Sequence, residues 1–434
     1  MQTEISTLEN GNVRVSYEFA LGASMMESER SLQAASNDAV AAATGECLSR
    51  FDTDGTPIII GGKKLTSKGR KAKIYQSPGG PVSVERHVYQ GSGGGRTFCP
   101  MEHAARAVRT ATPLFARQVS SKYANTNSGT ATSDLAEHGR EIARTYVREI
   151  ASDVSLIASE KEDVWEFAVA QAPAGKRVKT VSVGTDGTCM LICKDEGWRE
   201  VMVGTIALYD DDGERLHTTY IAAAPEYGKE TFYTRMDREL AVVKNVYPDV
   251  RYVGVADGAA CNWPWIEQNT TWHILDFWHV TEYLHAASAA MGGGKAAQQR
   301  WAEQACHRIK HERGGVGALL DEMVAQQEGG VRGKTKREAL DKAITYFDNN
   351  QDKMDYPTYR AMGLSIGSGV TEAACKCIAK ARMCGSGMRW DSKGAAEVLS
   401  LRTMVKTEGR WDEFWGKVGR YGFTKITTPK RQKK

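Results

Sequence analysis

A chain of 434 residues is longer than one hydrophobic core usually serves, so two or three domains are expected. Its 57 Lys and Arg against 53 Asp and Glu leave a net charge of +4, too small by itself to demand a polyanionic partner. Nine cysteines, an odd number, with no N-terminal apolar leader and no run of membrane-spanning length, argue against a disulfide framework and a membrane partner and for a reducing cytoplasm.

Ser24 and Glu27 stand at capping-box spacing ahead of an alanine-rich run to about Cys47, which predicts a helix within an N-terminal helical segment, residues 1–50. Residues 51–105 change character. IIIGG, KIYQ and VSVERHVYQ are short β-type runs broken by Gly, Pro and Ser, and GSGGG predicts a flexible tip. Between Asp54 and Glu85 there is no acid, while Lys63, Lys64, Lys68, Arg70, Lys71 and Lys73 fall in the gap. The segment therefore reads as a basic β-hairpin module of the kind a phosphate backbone attracts.

From Met101 to Glu160 the pattern is helical, divided at NTNSGT and at His138 and Gly139. Leu135, Ile142, Val147 and Ile150 supply an apolar face, and Arg140, Arg144 and Arg148, spaced at i, i+4, line another. Residues 106–165 thus fit a helix-turn-helix reading a DNA groove, or a plain helical bundle with a solvated charged face; spacing leaves both open.

Beyond Pro173 the period changes to two. KTVSVGTD, REVMVGTIALYD and RLHTTYIAAA read as three successive strands, GKETFYTRMDRELAVVKNV as a helix, VRYVGVADG as a fourth strand, and TWHILDFWH as a fifth running into a helix. This is the element order of a ribonuclease H-like domain, residues 175–285, within an α/β chain. Residues 286–360 are helical with GGG and GGVRG breaks, too long for a loop, and predict an all-helical insertion. The catalytic domain would resume over 361–410, and a basic segment, 411–434, closes the chain with Lys430, Arg431, Lys433 and Lys434.

Three acids share one setting, a glycine-rich break after an apolar run: Asp186 in VSVGTDGTCM and Asp257 in VGVADGAACNW, each near a strand end, and Glu372 in IGSGVTEAACK, on a helix. Gathered carboxylates stay ionised together only if cations neutralise them, which points to two Mg²⁺ (or Mn²⁺) ions and phosphodiester chemistry. For a single Asp-Gly a plain turn is the better reading; two at matching strand ends followed by an acid-bearing helix reverse that. Asp276 and His279 form an Asp-x-x-His pair that either meets a metal-bound carboxylate or phosphate, or is a satisfied core pair. Trp278 between them reads as core. The acid-free stretch from Glu372 to Asp391 holds Lys376, Lys380, Arg382 and Arg389, the two arginines being candidate phosphate contacts, while Trp390 reads as packed inside. Cys375 and Cys377 have no second pair nearby, so free buried thiols are expected and zinc is not. Gly184 stands where a phosphatase motif needs a second Asp, and GSGGGRT lacks the Lys of a P-loop.

At GTDGT, ADGA with Trp263 after it, DFWH, the block YRAMGLSIGSGVTEAACKCIAKARMCGSGMRW, LRTMV and GRWDEFW, the chain resembles bacterial insertion-sequence transposases of the ISKra type, relatives of the Mutator-like transposases. The resemblance covers most of the chain from about residue 55. It implies an Asp-Asp-Glu triad at Asp186, Asp257 and Glu372, an active-site role for Asp276 and His279, and a helix-turn-helix-like region at TPLFARQVSSKY and the helices to Val154 that binds terminal inverted repeats. Family members often carry a cysteine pair in the hairpin module, where this chain has only Cys99. The implied protein is a nucleoid-associated bacterial DNA transposase that cuts element ends and joins them to target DNA as a dimer or larger complex. The competing readings are a nuclease or resolvase without strand transfer, and a catalytically silent DNA-binding derivative.

Overall fold

The computed structural model describes residues 3–193 and 197–424, so the basic residues Lys430, Arg431, Lys433 and Lys434 lie outside the described residues. The chain is of mixed α/β class and divides into two compact units, Met1–Phe167 with Ala396–Val405 and Gly409–Lys434, and Ala168–Ala395 with Lys406–Glu408. The second unit thus ends within the 361–410 segment. No helix among the described residues is long and apolar enough to cross a membrane.

The first unit opens on an antiparallel hairpin, β1 (Thr3–Thr7) and β2 (Val13–Tyr17), where only helix was expected; TEIST and VRVSY pair from Thr3 opposite Tyr17 to Thr7 opposite Val13. Helix α1 (Met25–Ser49) follows, its capping box formed: Ser24 accepts from Glu27 N at 3.2 Å, and the Glu27 carboxylate accepts from Ser24 N at 3.3 Å. The basic module is a four-stranded antiparallel sheet, β3 (Ile58–Ile60), β4 (Lys63–Gln76), β5 (Pro81–Gly91) and β6 (Gly94–Phe98). Its GSGGG segment is a tight reversal in which Gly91 pairs with Gly94, not a loose tip. Lys63, Lys64, Lys68 and Lys71 are exposed along β4, whereas Lys73 is 2.6 Å from the buried Glu102, an acid from beyond the gap.

Helices α2 (Pro100–Ala104), α3 (Pro113–Asn125), α4 (Ser128–Glu137) and α5 (Arg144–Lys161) complete the N-terminal part. The arginine stripe needs a correction. Gly139, at φ +71, breaks the helix, and α5 starts only at Arg144. Arg140 lies in the intervening turn and is buried, donating to Ser77 O at 3.1 Å and Gln76 Oε1 at 2.8 Å. Arg144 and Arg148 remain, both exposed on the first turns of α5.

The second unit holds a five-stranded sheet built by β7 (Thr180–Ile192), β8 (Gly197–Tyr209), β9 (Arg215–Ala223), β10 (Arg251–Ala256) and β11 (Trp272–Leu275), with α6 (Glu230–Val246) between β9 and β10 and α7 (Trp263–Asn269) between β10 and β11. The strand order is β11-β10-β7-β8-β9; β7, β8 and β9 run antiparallel, and β10 lies parallel to both β7 and β11. Phe232, Met236, Leu240 and Val243 recur at helical spacing on α6 and enter the core with Val183, Ile206 and Val253 of the sheet.

Helix α8 (Phe277–Met291) leaves the sheet into α9 (Lys295–His311), α10 (Gly315–Glu328), α11 (Lys334–Asn350), a 3₁₀ turn at Gln351–Lys353 and α12 (Tyr356–Ala361). These helices share the core of the sheet through Leu284, Ile309, Leu319, Leu340 and Phe347. The chain returns as α13 (Gly369–Ala374), a π-helical turn at Cys375–Lys380 and α14 (Ala381–Met383). Helices α15 (Ser392–Lys406) and α16 (Arg410–Tyr421) end the described chain; Leu401 of the one and Phe414 and Val418 of the other join Phe115, Val147 and Ile150 in the core of the first unit.

Candidate active site

Asp186 sits within β7 and not at its end. Pairing with β8 continues from Asp186 opposite Val203 to Ile192 opposite Gly197, so the Asp-Gly is straight strand held by its neighbour's hydrogen bonds. The carboxylate is half-buried and accepts from Gly187 N at 2.7 Å. Burial lifts its pKa above the ordinary aspartate value and the charge of Asp257 adds to this, while hydrogen bonds from the Cys375 thiol and the Gly187 amide and the field of His279 oppose it.

Asp257 follows the last residue of β10, the strand beside β7. Its Oδ1 accepts from Ala259 N at 3.1 Å and from Asn262 Nδ2 at 3.4 Å, and its carbonyl accepts from Trp263 Nε1 at 3.1 Å, which folds the ADGAAC loop around the acid.

Glu372 is placed by the residue before it. Thr371 Oγ1 lies 2.7 Å from Thr205 Oγ1 of β8, and Thr205 is the register partner of Gly184 in β7. A Cβ on Gly184 would stand 2.0 Å from Thr371 Oγ1, so α13 sits against the central strand only because residue 184 has no side chain. Gly184 and Asp186 are two positions apart and share a face of the strand. The Glu372 carboxylate is turned outward, 56 % exposed, and binds Lys376 Nζ at 2.7 Å; this contact holds its pKa below the usual value, helped by the fields of His279 and Lys380.

Asp276 is not presented to DNA. It is 2 % exposed and caps α8, accepting from Trp278 N at 2.8 Å, while its second oxygen accepts from Ser368 Oγ at the foot of α13. One buried carboxylate thus ties the start of the helix carrying His279 to the start of the helix carrying Glu372. His279 has a side chain 44 % exposed, with Nδ1 3.6 Å from Glu282, and its charge reaches both Asp186 and Glu372. Trp278 is 66 % exposed, against the core position expected of it.

Of the two arginines beyond Glu372, Arg382 is 3 % exposed and packs on the Trp390 ring at 5.0 Å, which removes it from the candidate phosphate contacts; Arg389 is exposed. Trp390 itself bridges to the end of β7, its carbonyl accepting from Cys193 N at 2.7 Å. Among the described residues no disulfide joins the cysteines, and Cys99 and Cys375 are buried while Cys377, expected buried beside Cys375, is only partly so. Burial and the neighbouring Asp186 push the Cys375 thiol well up, so it stays protonated and serves as a donor.

The described residues therefore bring Asp186 and Asp257 into each other's field, with His279 near, and leave Glu372 on Lys376. Among the described residues no group of three or more His, Cys, Asp or Glu is arranged to hold a metal ion. The Asp186–Asp257 pair fits a hard cation: its donors are carboxylate oxygens, and a cation would relieve the burial and repulsion that raise Asp186. Glu372 fits only once released from Lys376. An exposed i, i+4 pair is worth about 0.3–0.5 kcal/mol, so its release costs little. Thr371 and Ser368 carry no signal in the sequence, and Cys375 and Lys376 stand out there only as an expected buried thiol and as one cation of the basic stretch; the positively charged IAKAR run gives no sign of which residues face the acids. No protein-family model matches the chain, and no curated protein matches it.

Proposed function

We propose that the chain is a DNA transposase of the Asp-Asp-Glu type, with a ribonuclease H-like catalytic domain interrupted by a helical insertion. The observation that carries this reading is the placement of Asp186 within β7 and of Asp257 directly after the adjacent β10, in a sheet ordered β9-β8-β7-β10-β11, antiparallel and then parallel, with the Glu372 helix against the central strand. Bound at Asp186 and Asp257, Mg²⁺ or Mn²⁺ would supply charge stabilisation for an in-line displacement at phosphorus. Glu372 would complete the site after leaving Lys376. Asp276 positions both helices, Cys375 donates to Asp186, and His279 would lie near the scissile phosphate. Cleavage of a strand at each element end and attack of the freed 3′-hydroxyl on target DNA would use this one site.

Arg144, Arg148 and the lysines of β4 are the candidate contacts to end DNA, with Arg389 a further one beside the acids. The partners are the element's terminal inverted repeats and target DNA, handled by a dimer or larger complex in the bacterial nucleoid. One observation favours the silent DNA-binding alternative, the engagement of Glu372 by Lys376.

Cleavage in Mg²⁺ of a duplex carrying the inverted repeats that flank the gene separates the two. We expect Asp257→Asn to abolish cleavage while its affinity for that duplex stays within about twofold of wild type, since the substitution removes a charge without touching Arg144 and Arg148. Undiminished cleavage by this variant would remove the aspartate pair from the reaction.

A further inference from the structure

The helical insertion meets the loop after Asp257 through one side chain. Tyr346 of α11 stacks on Tyr283 of α8, ring centroids 3.8 Å apart and planes 10° from parallel, which fixes the ring. Its phenol end lies over Gly258, the residue after Asp257: a Cβ there would stand 2.3 Å from Tyr346 Cε2 and 3.1 Å from its hydroxyl oxygen. Only a residue without a side chain lets the ring come so near.

That hydroxyl oxygen is buried and has no hydrogen-bond partner among the described residues. Neighbouring tyrosines are satisfied: Tyr356 donates to Leu275 O at 3.0 Å and Tyr359 to His273 O at 3.1 Å. A buried hydroxyl left unpaired lowers stability, so phenylalanine would fill a packing role better at position 346. Burial, then the Tyr283 hydroxyl and the charges of Asp257, Asp276 and Glu282, hold the Tyr346 pKa well above the ordinary tyrosine value, and the group stays a neutral hydroxyl that can donate and accept. Asp276 is the carboxylate that accepts from Ser368 at the foot of α13. The hydroxyl thus stands near Asp257 on the side of the sheet that α13 covers and Asp186 faces.

A cleft of 520 Å³ opens here, lined by Gly258, Ala260 and Trp263 after the acid and by Tyr283 and Tyr346, among others, on the insertion side. It leaves room for water beside Asp257. A hard divalent cation held by one or two carboxylates keeps several of its waters, and each of those is a strong donor in need of an acceptor.

We propose that Tyr346 is a positioning residue for a divalent cation at Asp257, its hydroxyl oxygen accepting a hydrogen bond from a water in the shell of that ion. The assignment rests on the metal-dependent reading above and adds to it a part for the helical insertion, which supplies this acceptor.

Mn²⁺ binding to the full-length protein, free of DNA, is followed by isothermal titration calorimetry, and melting temperatures are measured in EDTA. Tyr346→Phe is expected to bind Mn²⁺ about 10- to 100-fold more weakly than wild type, while melting in EDTA at or above the wild-type temperature because the unpaired hydroxyl is gone. Asp257→Asn sets the level that marks loss of the site. Mn²⁺ affinity in Tyr346→Phe within about twofold of wild type, or a lower melting temperature in EDTA, overturns the role of Tyr346 and leaves the aspartate site in place. Wild-type protein that binds Mn²⁺ no better than Asp257→Asn overturns both.

Discussion

The electrostatics of the site turn on Asp186. Its folded-state pKa is raised by burial and by Asp257, so relative to the unfolded chain it favours folding only while protonated; that contribution is present below the ordinary aspartate value, about 3.9, and is lost as pH rises through the raised folded value. At pH 7 in metal-free protein the ionised group therefore opposes folding. Asp186→Asn should raise the melting temperature of metal-free protein at pH 7, and the gain should vanish as pH falls below the carboxylate range. Mg²⁺ should then raise the melting temperature of wild type and leave that of Asp186→Asn nearly unchanged, because only a folded pair of carboxylates binds the ion. A variant less stable than wild type at every pH would show that the hydrogen bonds from Gly187 and Cys375 outweigh burial. Asp257 is legible in the sequence because its apolar run does break at Asp-Gly, whereas at Asp186 the same pattern misplaces the strand end, since β7 continues unbroken to Ile192. The settings of Asp276, Trp278 and Arg382 are not legible, because whether a polar residue caps a helix, faces water or stacks on Trp390 depends on contacts made by residues remote in the chain.

At the scale of elements, the docking of α13 depends on Gly184. A methyl group there would meet Thr371 Oγ1 at 2.0 Å and Thr371 Cβ and Val255 O at 3.2 Å, a clash relieved by turning the Thr371 hydroxyl away from Thr205 or by moving α13 off β7. Overpacking of this kind costs about 1–3 kcal/mol. Gly184→Ala should lower the melting temperature and cleavage together, and Gly184→Ala with Thr371→Ala should recover part of both by removing the nearer atom; independent, additive losses would deny the contact. In the first unit, Arg144 and Arg148 stand exposed on the opening turns of α5. Their replacement by Ala should weaken duplex binding and flatten its salt dependence by about 0.9 in the log–log slope for each phosphate no longer neutralised. An unchanged slope would favour the plain helical bundle that spacing left open. The elements with a strong period are the legible ones: α1 from its capping box, α6 from its apolar stripe, β7, β8 and β9 from alternation. The hairpin of β1 and β2 escapes notice because its residues are mostly exposed, with no buried face to set a pattern, and Arg140 misleads because i, i+4 spacing does not reveal that Gly139 has already ended the helix.

At the scale of the whole molecule, the order of strands and helices from β7 to β11 follows from the sequence, whereas the limits of the two units do not. The second unit closes at Ala395, and α16 gives Phe414 and Val418 to the core of the first. A C-terminal segment read for its charge hides an amphipathic helix whose apolar face lies among N-terminal residues, a partnership that only long-range packing defines. The proposed reading draws on acids at one sheet and on exposed cations of β4 and α5, and a nuclease would draw on the same residues. Strand transfer separates these readings. The full-length protein, Mg²⁺, a labelled duplex bearing the flanking inverted repeat and a supercoiled target plasmid should yield label covalently joined to plasmid through the 3′ end of the duplex, and no joined product with Asp257→Asn. Label released by hydrolysis alone, or no reaction in any divalent metal, would contradict the account.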